Sequence, residues 1–228
     1  FQGKFGYSLF MKDWAIYKFD LEKIYFRTTS GHKIEGMNYD IEMELVHRLD
    51  TSYRTPGRYI HPDSEYLVIS TFFVKKEMSR DDMTSRFFEY ANLDTFVINK
   101  ERNDIYFKNK LKLNQMIQNQ PGYLYTGTLT QGFCDTAWRM ILPKFQLITS
   151  AEYDTFQTLM KDLNFLNKIE PDSNNARDLQ PINVNTEIYT NVELTSRLLP
   201  EANQNQFDFS VYVNLNLFVL LLSMFIIF

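Results

Sequence analysis

A β-rich domain of long strands with few helices is what this sequence predicts, on three observations. Aromatic residues are abundant, 20 Phe and 14 Tyr, while Gly (8) and Pro (7) are sparse, a composition suited to strands rather than to disordered chain. Apolar or alternating runs crowd the first half of the chain, and only two stretches carry a helical period. With 228 residues there is enough chain for one sizeable domain with a well-buried core.

In chain order, the strand-like runs are Phe5–Phe10, Trp14–Phe19, Lys23–Arg27, Tyr39–Arg48 and Tyr66–Val74, separated by short turns such as "SGH" and "TPGR". "EYLVISTFFVK" is almost continuously apolar, as a central strand covered on both faces should be. A first helix is expected within Arg80–Asn92, where Met83, Phe87 and Phe88 share a face. A second is better signed. "TSAEYDTFQTLMKDL" opens on a Thr149–Glu152 capping box and continues with Phe156, Leu159, Met160 and Leu163 at helical spacing. Asp172–Asn185 reads as irregular polar chain, and no internal repeat is visible.

One strand raises a chemical question. "YDIEMELVHR" alternates strictly, so Tyr39, Ile41, Met43 and Leu45 point one way, and Asp40, Glu42, Glu44 and Val46 the other. Carboxylates in file on one face are a solvated surface, an acid/base pair, or the remains of a metal site.

Charge and cysteine usage narrow the function classes. Net charge is −4, with Lys and Arg scattered, so no basic stripe suggests nucleic acid as a partner. Cys134 is the single cysteine, which on arithmetic alone reads as a small buried hydrophobe in a reducing compartment. The chain opens "FQGKFGYSLF" with neither Met nor signal peptide, as expected of a sequence lacking its N-terminal part. From Leu217 to Phe228 only Ser223 interrupts an apolar run. Small residues at Ala202–Asn203, a polar spacer and this tail match a GPI-anchor signal, the alternatives being a tail-anchored helix and a buried core segment. The expected organisation is a domain over residues 1–197, a spacer over 198–214 and a hydrophobic tail over 215–228.

Four stretches, in order, resemble the α-class carbonic anhydrases: "SGHKIEGMNYDIEMELVH", "GYLYTGTLTQGFC", "LPKFQLITSAEYDTFQTL" preceded by Trp138, and "NNARDLQPIN". The resemblance implies an α/β fold with mostly antiparallel β: a large twisted central sheet, a few peripheral helices, and a cone-shaped cleft. It also implies a mechanism, in which three His hold a Zn²⁺ that acidifies a bound water for attack on CO₂.

Mapped onto this chain, that metal centre is degenerate. The three ligand positions correspond to Tyr25, Arg27 and Glu44, none of them His, while Glu42 matches a carboxylate that orients a ligating His. His32 and His47 align with family histidines that are not ligands, His61 is the only other His, and no alternative trio is evident at the needed spacing. Thr130 matches the Thr that orients the zinc-bound water, but its Glu partner corresponds to Gly31; Lys4 falls loosely at the proton-shuttle position. Val46, Val68, Leu129 and Trp138 match the apolar pocket wall. Arg27 is expected to replace the ion's charge by reaching Glu44, the alternative being a weak pair in a solvated cleft. The resemblance also makes Cys134 a disulfide candidate, paired in secreted members with an N-terminal Cys.

The expectation is therefore a non-catalytic, carbonic-anhydrase-like module with no cofactor, anchored through its tail at the extracellular face of the membrane. It would bind a protein or glycan. The rival expectation is a working enzyme, hydrating CO₂ or hydrolysing esters at a rearranged zinc site.

Overall fold

Alternation of apolar and polar residues organises the chain into one curled sheet, seen in a computed structural model. It describes residues 6–12, 15–53, 64–79, 81, 85, 87–91, 121–130, 134–166, 188–195 and 212–214. In chain order these form β1 (Tyr7–Lys12), β2 (Ala15–Thr28), β3 (Ile41–Leu49), β4 (Tyr66–Lys76), α1 (Phe87–Ala91), β5 (Pro121–Thr128), β6 (Thr136–Ile141), β7 (Gln146–Thr149), α2 (Ser150–Leu166), β8 (Ile188–Thr195) and β9 (Tyr212–Asn214). Mostly antiparallel pairing with a few helices is the expected fold class.

Hydrogen-bonded neighbours run β2–β3–β4–β6–β5–β8–β9–β1 and return to β2, so the sheet curls onto itself. Among the described residues, three pairings are parallel: β1 with β9, and β4 with both β6 and β7. β4 is the branch point. One edge pairs with β3 from Tyr66 to Phe73, and the other is shared between β6 (Tyr66–Ser70) and β7 (Phe73–Lys76).

The runs Trp14–Phe19 and Lys23–Arg27 turn out to be one strand, β2, of 14 residues. A bulge between Leu21 and Lys23 explains why they look separate. Ala15, Tyr17, Phe19 and Leu21 bury one face; the extra residue shifts the phase, and Ile24 and Phe26 resume the same face. A period-two reading breaks there although the strand does not.

One face of the sheet carries the main core, including Leu45, Leu67, Ile69, Phe73, Trp138 and Met140. The helices cover part of it: Phe156 of α2 stacks on Phe26 and Phe88 with centroids 5.2 and 5.1 Å away. Burying such a ring stabilises the fold by about 2–3 kcal/mol. Leu159 and Met160 flank this cluster as their spacing foretold. The first helix lies within the expected stretch: α1 holds Phe87 and Phe88 against the core, whereas Met83 lies outside the described residues. So do His61, Lys4, the 172–185 segment, and the tail over 215–228. Among the described residues, no helix is long and apolar enough to cross a membrane.

The capping box forms as read. Glu152 N–H donates to Thr149 Oγ1 at 3.2 Å, and Thr149 N–H donates back to Glu152 Oε2 at 3.2 Å. Thr149→Ala should therefore destabilise the protein by about 1 kcal/mol, read as a midpoint lowered by roughly 2–4 °C in thermal unfolding.

Candidate functional site

The opposite face of β2, β3, β4 and β6 carries the charged cluster. Cross-strand register sets its rows: Tyr25, Glu44 and Ser70 lie side by side, as do Arg27, Glu42 and Phe72. Both faces of β3 are buried, Glu42 and Glu44 being 0% and 1% exposed, so these carboxylates are not a solvated strand surface. Burying two anions is costly unless each oxygen is hydrogen-bonded or paired with a cation.

Every oxygen is met. Glu44 Oε2 accepts from the Thr130 hydroxyl at 2.6 Å, and Glu44 Oε1 accepts from Arg139 Nη2 at 2.5 Å. Arg27 Nε lies 3.8 Å from the same Oε1, so the expected Arg27–Glu44 contact exists but is the looser of the two. Glu42 Oε2 accepts the backbone N–H groups of Gly31 and His32 at 2.9 and 3.1 Å, and Oε1 accepts His32 Nδ1–H at 2.6 Å. The other ring nitrogen, Nε2, lies 2.9 Å from the Tyr125 hydroxyl. Burial pushes the Glu42 carboxyl up, but the His32 imidazole, by hydrogen bond and charge, outweighs it and holds the group at about 2. Burial also works against the charge on Arg139; the Glu44 carboxylate more than offsets it, and the guanidinium stays protonated.

Arg139 reaches Glu44 from two strands away, roughly 10 Å in backbone terms. Its row places it beside Val68 of β4 and Tyr125 of β5. Gly127 makes room for the stem, because a Cβ there would meet Arg139 Cδ at 2.9 Å. The sequence did hold a signal for this residue: in "TAWRMI" a charge interrupts an apolar strand and needs a buried partner.

The predicted pocket wall divides. Val46 and Val68 join Ala137 in a small cluster beside the carboxylates, with Tyr25 and Leu129 packed on it. Trp138 does not. Alternation along β6 sends Ala137 and Arg139 to this face and Trp138 to the other, where it stacks on Phe10 at 4.6 Å. Cys134 is exposed and free, at a φ of 60°, which corrects the buried-hydrophobe reading.

His47 also lies on the other face, fully buried. Nδ1 sits 3.0 Å from the Leu45 carbonyl and Nε2 2.9 Å from the Ser8 hydroxyl, a structural role. Burial pulls its pKa down from 6.5 to about 4 despite its carbonyl contacts.

His32, Glu42 and Glu44 do bring one donor atom each within 4.8 Å of one another, a trio that the sequence reading did not find. The family's zinc does not fit there. Each donor is already committed to the hydrogen bonds above, and the Arg27 and Arg139 guanidinium groups stand against the same carboxylate. A divalent ion some 4 Å from a guanidinium would meet a repulsion on the order of several kcal/mol. The positions Tyr25, Arg27 and Glu44 offer no imidazole at all.

A family model for the eukaryotic-type carbonic anhydrases matches residues 10–192. No curated protein sequence matches the chain. Among solved structures, the alpha-carbonic anhydrase of Photobacterium profundum is 21% identical, with 76% of this chain and 68% of that one covered at a TM-score of 0.54. An alpha-carbonic anhydrase from Thermovibrio ammonificans, bound to the inhibitor sulfanilamide, is 15% identical, covering 82% and 76% at 0.53. Dioscorin complexed with ascorbate is 19% identical, covering 86% and 80% at 0.53. At these identities the likeness is one of fold.

The depressed pKa values set an acid limit. His47 and Glu42 both bind protons less readily in the folded state, so stability is present above their unfolded pKa values and lost as pH falls through the folded ones. For His47 the loss develops between pH 6.5 and about 4 and amounts to about 3 kcal/mol. Melting temperature recorded against pH should fall across that window, and His47→Gln should flatten that limb while the decline below pH 4.5 persists.

Proposed function

The chain belongs to the eukaryotic-type carbonic anhydrase family, and from that premise we propose a member that has given up zinc and CO₂ hydration and serves as a binding module. One observation supports this above the rest: both oxygens of Glu44, at a family ligand position, are spent on Thr130 and Arg139. Thr130 retains the hydroxyl that would orient a metal-bound water, yet here it donates to Glu44 instead. Tyr25 and Arg27 complete a ligand set without one imidazole.

The proposed partner is a protein or glycan engaged by the domain surface at the extracellular face of a membrane. The apolar run Leu217–Phe228 supports attachment, by a lipid anchor or a retained tail. A net charge of −4 argues against sulfated glycosaminoglycan as the glycan.

A second reading has one observation in its favour: the proximity of His32, Glu42 and Glu44. It would make the protein a metal-dependent hydratase or esterase with a rearranged centre. Elemental analysis of the purified protein, together with a CO₂-hydration assay with and without a sulfonamide, separates the two. The binding reading expects zinc far below one per chain and hydration at the buffer's own rate. Stoichiometric zinc with sulfonamide-sensitive turnover would establish the enzyme.

A further inference from the structure

We propose that Arg139 is a resident counter-ion, a covalently attached cation that does the charge-balancing work a dication does in relatives. In its absence, His32, Glu42 and Glu44 become open to a divalent metal. The inference deepens the reading of the site as one without zinc, and rests on it.

The charges close without any external ion. Glu42 and Glu44 bring two negative charges into a region less than 2% exposed, and Arg27 and Arg139, each under 5% exposed, bring two positive ones. The guanidinium of Arg139 is the better placed of the pair, 2.5 Å from Glu44 against 3.8 Å for Arg27. A second N–H of Arg139, on Nη1, donates to the Thr128 carbonyl at 2.9 Å, which fixes the head group from a strand end that leads to Thr130. Arg139 thus ties β6, β3 and the end of β5 together, in the manner of a cation holding ligands from separate strands.

The fold is also shaped to accept this side chain. Gly127 leaves space where any Cβ would press on the Arg139 stem. Substituting Arg139 by an apolar residue removes the nearer of the two cations at Glu44 Oε1 and leaves only the Arg27 Nε contact at 3.8 Å, the circumstance in which a buried carboxylate next to an imidazole recruits a metal.

The test is thermal unfolding of the full chain, with zinc chloride or EDTA present, for wild type, Arg139→Met and the double variant Arg139→Met/Glu44→Leu. Wild type should be indifferent to both additives. The single variant should melt about 10 °C lower and regain several degrees with zinc. The double variant, which removes both charges, should melt above the single variant and ignore zinc. Zinc that stabilises wild type as much as the single variant would overturn the proposal, as would zinc that moves neither. A single variant with the wild-type midpoint would also overturn it, while leaving the zinc-free reading of the native site intact. Stoichiometric zinc in untreated wild type would instead sink that reading and this one together. If the single variant does not fold, the double variant decides: cooperative melting supports the counter-ion role, and failure to fold overturns it.

Discussion

Glu44 is the residue on which the rest of this structure turns. An anion with 1% exposure at the centre of a sheet is tolerated only if its surroundings answer it. Thr130 answers from the loop after β5, Arg139 from β6 and, more distantly, Arg27 from β2. Two regions far apart in sequence, β2 and the stretch from the end of β5 into β6, are thereby held to one carboxylate. Because Tyr25 adjoins Glu44 in the ladder and packs on Val46 and Val68, the polar cluster is sealed on one flank by apolar contacts, which strengthens the ion pairing inside it.

Glu42 follows the same logic through a different route. Its partners are local, the backbone of the Gly31–His32 turn and the His32 ring, and Tyr125 extends the chain of hydrogen bonds to β5. A turn lacking regular structure is thus fixed against the sheet by one carboxylate. The two glutamates divide the labour: Glu42 orders the approach to the site, and Glu44 joins the strands beneath it.

Much of this was legible before any coordinates, and the failures have physical causes. The Thr149–Glu152 box and the Phe156–Leu159–Met160 spacing placed α2 because capping and helical period are local properties. The alternation of Ile41–Val46 placed both glutamates on one face, but it could not show that both faces of β3 are covered, since burial depends on what arrives from elsewhere. The β2 bulge hid a continuous strand by shifting its phase. The resemblance set Trp138 on the pocket wall, but alternation along β6 turns it into the main core, since in a strand one residue reverses the face. Arg139 escaped notice because its importance lies in a partner 95 residues away. The region carrying Lys4 and the C-terminal run lies outside the described residues.

The forked edge of β4 has a consequence for how the molecule comes into being. Its partners β6 and β7 are synthesised well after it and join it in parallel, which demands long excursions of chain before a single ladder bond forms. Such architecture folds slowly, because loop closure must precede reward. Until that late docking, Glu44 has neither Arg139 nor Thr130 beside it, and a nascent chain carries an acidic strand with open edges. Assembly of the centre and completion of the sheet are therefore one event, and a chain halted midway is a candidate for chaperone capture rather than a partly working protein.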